Sequence, residues 1–141
     1  MEELIHILTA ENCSLVLRAT DGVVHKCYGR GVADLYRLLT EEPELLRGAT
    51  VADKVVGRGA ASLMILGEVA AFHTLLLSEK ALGFLKKSDV KFTFDTLVPH
   101  IINRQGNGIC PVESLTSQAQ DPQEAFELIT GFISQNSNKN T

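Results

Sequence analysis

The chain has 141 residues, 45% hydrophobic and 21% charged, with a formal net charge of −4. That length predicts one domain with a core that needs no disulfide or metal staple, and the composition excludes disordered and fibrous classes. The 13 basic residues are scattered, with only Lys86 and Lys87 adjacent, which argues against a nucleic-acid-binding surface.

Three cysteines, Cys13, Cys27 and Cys110, are too few and too irregular for a disulfide framework. The acidic start Met-Glu-Glu-Leu lacks the basic region of a secretion signal. The apolar run from Leu63 to Leu77 is interrupted by Gly67, Glu68, His73 and Thr74 before it reaches a membrane-spanning length. These features predict a cytoplasmic protein with no membrane segment.

In chain order, residues 2–9 suit a short helix with Leu4, Ile5 and Leu8 on one side. From Cys13 the period changes to two, and Asp21-Gly22 between two β-rich runs predicts an antiparallel hairpin. After Gly29-Arg30-Gly31, Val32–Leu39 has helical periodicity, and Pro43 opens a second short helix ending near Gly48. Asp53 is read as the N-cap of the next helix, which reaches about Leu66 and is apolar all round in its later half.

Val69–Leu77 is a continuous apolar run, as expected of a strand covered on both faces. Ser78 caps a helix through Lys87, and Val90–Phe94 alternates as another strand. Cys110-Pro111 starts a helix, and Asp121-Pro122 starts the last one, with Phe126, Ile129, Phe132 and Ile133 facing inward. Residues 1–133 form the predicted single domain, and 134–141 a disordered polar tail.

The densest concentration of polar, glycine and thiol groups between apolar segments is Ile102–Glu113, Ile-Asn-Arg-Gln-Gly-Asn-Gly-Ile-Cys-Pro-Val-Glu. Cys110 at the N-cap, with Pro111 first and Glu113 third in the helix, gives a box-like start with sulfur in place of a hydroxyl. A thiol there has amides and a helix dipole to favour its thiolate, which makes Cys110 a candidate nucleophile or ligand contact; the alternative is a buried, inert cap. Asn103, Arg104, Gly106, Gly108 and Glu113 form a candidate ligand-binding loop, with Arg58 beside it; the alternative is a tight glycine turn with a solvated Arg104. For Gly57-Arg58-Gly59 the simpler use is close packing of a buried helix. His73 is read as a core histidine, and His100 as the histidine bordering a pocket.

The strings at 52–61 (Ala-Asp-Lys-Val-Val-Gly-Arg-Gly-Ala-Ala), 97–104 (Leu-Val-Pro-His-Ile-Ile-Asn-Arg) and 106–113 (Gly-Asn-Gly-Ile-Cys-Pro-Val-Glu) resemble an uncharacterised prokaryotic domain-of-unknown-function family. The resemblance covers nearly the whole chain up to the polar tail. It implies an α/β protein, a three-layer α/β/α sandwich with a mixed, cytidine deaminase-like sheet, and no established reaction. Hairpin, helix, strand, helix, strand, helix is also the element order of that fold.

Zinc deaminases of that type need a His or Cys with a Glu near one helix start and two further thiolates near the next. Here those places read Gly57-Arg58-Gly59-Ala60-Ala61 and Ser78-Glu79-Lys80-Ala81, and no C-x-x-C or H-x-E occurs. The sequence therefore predicts no metal and no cofactor. It points to a small anionic or nucleotide-like ligand held around Cys110, Arg104 and Asn103. The alternative is a non-catalytic binding or assembly module with a degenerate deaminase site, with Leu38, Leu39, Leu45 and Leu46 as homodimer contacts.

Overall fold

The computed structural model describes residues 1–30, 32–103 and 105–139, with side chains described through residue 135. The protein is an α/β structure built on one open, mixed five-stranded sheet of order β2-β1-β3-β4-β5. Its elements are α1 (Glu2–Ala10), β1 (Leu15–Arg18), β2 (Val24–Cys27), α2 (Ala33–Glu41), α3 (Pro43–Leu46), β3 (Thr50–Val56) and α4 (Arg58–Leu66). After these come β4 (Ala71–Ser78), α5 (Glu79–Lys86), β5 (Lys91–Val98), α6 (Pro111–Thr116) and α7 (Pro122–Lys139).

The expected hairpin forms, with Leu15 opposite Cys27 and Arg18 opposite Val24. Its connection has three residues rather than two. The Ala19 N–H donates to the Val23 carbonyl at 3.0 Å, and the Gly22 N–H donates to the Ala19 carbonyl at 2.9 Å. Gly22 takes the left-handed conformation at φ +88°, while Asp21 instead accepts from the Val23 N–H.

The main correction is β3. Asp53 is not a helix cap; it lies within the central strand, paired antiparallel with β1 and parallel with β4. The helix after it starts at Arg58, behind Gly57. Asp53 pairs directly with Thr74, and each bonds the N–H two residues on, Asp53 to Val55 and Thr74 to Leu76. These local bonds compete with the ladder and shift the inside–outside alternation. Beyond the pair, Val56 and Leu77 enter the helical core, while Val55 is left 40% exposed.

Alternate residues feed two separate cores. Leu15, Leu17, Val51 and Phe72 pack under the helices led by α4, whereas Val16 and Ala52 pack under Leu4 and Leu8 of α1. Of the four leucines expected at a dimer surface, Leu38 and Leu46 are fully buried in the larger core, while Leu39 and Leu45 pack half-buried against it. Ser78 and Asp121 cap α5 and α7 as their sequences predict, accepting from the Lys80 and Glu124 N–H groups. Helix α7 runs on to Lys139, past the Ile133 limit expected for the packed chain; Asn140 and Thr141 lie outside the described residues.

Candidate functional site

The carboxyl end of β3 and the start of α4 face the start of α6 across a small open cleft. Val32, Val55, Gly57, Gly59, Ala60, Ile101, Cys110, Val112 and Glu113 line it, and its volume is about 100 Å³. Its wall is predominantly aliphatic. Clefts outside the carboxyl ends of strands are the usual ligand position in open α/β sheets.

Glu113 organises one side. It is 2% exposed, and its two oxygens accept from two backbone amides, Oε1 from Arg58 N–H and Oε2 from Ile101 N–H, both at 2.9 Å. Gly57, the N-cap of α4, has no side chain to offer, so Glu113 caps that helix from 55 residues away. It does not close a box onto Cys110, whose own N–H donates to the Ile101 carbonyl at 2.8 Å. A carboxylate thus already occupies the anion position at the α4 N-terminus. Gly57 is required here because a Cβ would lie 2.9 Å from Glu113 Oε1 and 3.1 Å from Ile101 Cγ1.

Arg58 points away from the cleft. Nε, Nη1 and Nη2 donate to the carbonyls of Thr116, Lys80 and Ala119 at 3.0, 2.8 and 2.6 Å, and the guanidinium sits 3.8 Å from the centre of the Phe84 ring. Partial burial draws its pKa down, and the Glu113 carboxylate raises it. The residue expected to grip a ligand instead ties α4 to α5 and the end of α6.

The loop between Ile101 and Cys110 is a small hairpin of its own. Ile102 bridges Ile109, and the Asn103 N–H donates to the Gly108 carbonyl at 2.8 Å. Asn103 also exchanges side-chain bonds with Asn107, and Gly106 makes the turn at φ +74°. Asn103, Gly106 and Gly108 therefore build the turn rather than the cleft wall, which is the simpler reading of this loop. Arg104 lies outside the described residues.

Cys110 does line the cleft, as the N-cap of α6, but its side chain makes no capping bond and the helix has only six residues. Cys13 and Cys27 are buried, and burial, with a smaller contribution from Asp34, pushes the Cys27 thiol up to about 11. His100 is not part of the cleft wall, although its neighbour Ile101 is. His73 lies 9% exposed with Nδ1 2.8 Å from Thr93 Oγ1 and Nε2 3.1 Å from Asp95 Oδ1, a bonded strand histidine. Among the described residues no three His, Cys, Asp or Glu side chains come together as a metal site.

Sequence reasoning missed the aliphatic half of the site: Val32, Val55, Ala60 and Ile101. The signal was a valine pair followed by Gly57, a strand running into a glycine-led helix start, which became invisible once Asp53 was read as a cap.

A family model for a domain of unknown function (TM1506, DUF1893) matches residues 3–133. The chain belongs to the DUF1893 family. A crystal structure of a DUF1893 family protein (TM1506) from Thermotoga maritima matches with a TM-score of 0.83 and 23% identity, covering 92% of this chain and 87% of that one. At that identity the likeness shows the shared fold. No curated protein matches. Membership of a DUF1893 domain agrees with the resemblance in the three sequence strings and brings no reaction with it.

Proposed function

We propose that this DUF1893 protein binds a small, neutral, ring-sized molecule in the cleft between β3, α4 and α6, with the Cys110 thiol as the one reactive group on its wall. The observation that carries this reading is the cleft itself, placed at a strand's carboxyl end and walled by side chains that three separate elements bring together. Size decides the ligand class. An apolar cavity of roughly 150 Å³ holds a benzene-sized molecule, and pockets for drug-sized ligands run to roughly 300–1,000 Å³. At about 100 Å³ the cleft is smaller than that cavity but open on one side, so a single ring seats partly within it, and a drug-sized ligand or a whole nucleotide exceeds it. Charge decides against the anionic ligand expected from the sequence, because Glu113 already holds the α4 amides and would repel a second anion.

The same reading takes the fold as a three-layer, cytidine deaminase-like sandwich. Support comes from the strand order with an antiparallel β1–β2 hairpin at one edge, and from helix starts at the ends of β3 and β4. In zinc deaminases those two helix starts carry the ligands. Here Gly57–Ala61 and Ser78–Ala81 carry none, and the cleft opens beside the first of them.

The test is a titration with neutral single-ring heterocycles, with inorganic phosphate as the charged comparator, followed by amide chemical shifts. Saturable shifts at Gly57–Ala60 and Ile101, together with slower iodoacetamide alkylation of Cys110, are expected from the rings and not from phosphate. Unmoved cleft amides and unprotected Cys110 across the ring panel would sink the proposal.

A further inference from the structure

Strand β5 is the edge of the sheet, and its sequence is Lys-Phe-Thr-Phe-Asp-Thr-Leu-Val. An eight-residue edge with exposed aromatic and aliphatic side chains is unusual for a monomer, which normally keeps such edges short or covered. Phe94 is 37% and Leu97 39% exposed, and Lys91, Thr93, Asp95 and Thr96 are exposed as well.

Lys91 donates its N–H to the Ala70 carbonyl, so its peptide groups face β4. In a parallel ladder alternate residues turn the same way, so those of Lys91, Thr93 and Asp95 face inward and those of Phe92 and Phe94 face the free edge. Thr93 and Asp95 both contact His73, so their side chains share one face of the sheet. Phe92 stacks on Phe72 at 5.9 Å on the opposite face.

We propose that the free edge of β5 pairs antiparallel with β5 of a second copy of this chain, with Thr93 of one copy opposite Thr93 of the other. Only outward-facing residues can exchange ladder bonds, so the register moves in steps that keep outward-facing residues opposite outward-facing ones. Of these registers, the one centred on Thr93 places Lys91 opposite Asp95 twice and Phe92 opposite Phe94 twice. Centring on Lys91 or Asp95 sets a charge against its own kind, and centring on Phe92 or Phe94 leaves both charges without an opposite partner. Opposite charges and aromatic pairs directly across an antiparallel ladder are the favourable cross-strand pairs, and a two-fold axis supplies each of them twice.

The charges make the test decisive. Sedimentation of the full chain should show a dimer that K91E or D95K alone converts to a monomer, with self-association weakened at least tenfold. Each variant then sets like charges opposite one another. Mixing K91E with D95K should restore the dimer, since both cross-strand pairs regain opposite charges, and that recovery also shows that both variants fold. A monomeric wild type at the highest concentration it tolerates, a dimer indifferent to K91E, or a mixture that stays monomeric would each overturn the proposal.

Discussion

Glu113 Oε1 accepts the Arg58 N–H at 2.9 Å, so a side chain in the first turn of α6 caps the first turn of α4. Its other oxygen takes the Ile101 N–H, joining β3's exit, α4, α6 and the 101–110 hairpin at one buried carboxylate. Removing it strands two amides. Buried donors without partners cost about 1–3 kcal/mol each. Glu113→Ala should therefore lower unfolding stability by about 3 kcal/mol, and Glu113→Gln by about 2 kcal/mol, since the amide keeps one acceptor and turns a donor toward the other N–H. Urea unfolding measures both. A Gln variant as stable as the wild type would show that the carboxylate's second bond carries no weight.

Arg58, whose N–H that carboxylate accepts, leads to a different expectation. Its three donors serve three carbonyls and its plane covers Phe84. A lysine has no fork to satisfy them together. Arg58→Lys should cost about 2 kcal/mol of stability while leaving cleft binding of the ring fragments unchanged. If the lysine variant folds with normal stability but loses fragment binding, Arg58 is a ligand contact after all.

The pattern of what the sequence revealed follows from range. Asp21-Gly22, Ser78, Pro111 and Asp121 act on backbone groups within a few residues, and each signalled its turn or helix start correctly. Glu113 and Arg58 act across 12 to 61 residues, and nothing local to either shows where they reach. Asp53 failed for a related reason. A carboxylate before an apolar helix resembles a cap, and only the pairing of Thr50–Val56 with two neighbouring strands makes it a strand residue instead. The site was half legible. Cys110 and Glu113 stood out by residue type, while the valines and Ile101 opposite them looked like ordinary core.

Gly59 should prove irreplaceable for a steric reason that can be reversed. A Cβ there would lie 2.7 Å from Val112 Cγ1 and 3.3 Å from Ile129 Cδ1. Overpacking of this kind costs about 1–3 kcal/mol, although alanine is the better helix former. Gly59→Ala should therefore destabilise by about 2 kcal/mol, and the double variant with Val112→Ala should be more stable than the sum of the two single effects predicts. Strict additivity would mean that α4 and α6 shift apart freely.

Asp53 links stability to pH. Burial pushes its carboxyl from 3.8 up to about 7, the Val55 and Lys54 amides oppose the rise, and Asp34 adds to it. Below pH 3.8 the folded and unfolded chains both hold the proton, and the site costs nothing extra. As pH rises toward about 7 the unfolded chain has released its proton and the folded chain has not, so stability falls with pH and the loss is complete above that range. At about 1.4 kcal/mol per pH unit the loss is on the order of 4 kcal/mol. Asp53→Asn keeps the oxygen that accepts the Val55 N–H but cannot ionise. Its advantage over the wild type in urea unfolding should grow by a few kcal/mol between about pH 4 and about pH 8. Parallel pH profiles for the two proteins would place the Asp53 proton elsewhere, and with it the reason the central strand tolerates an acid.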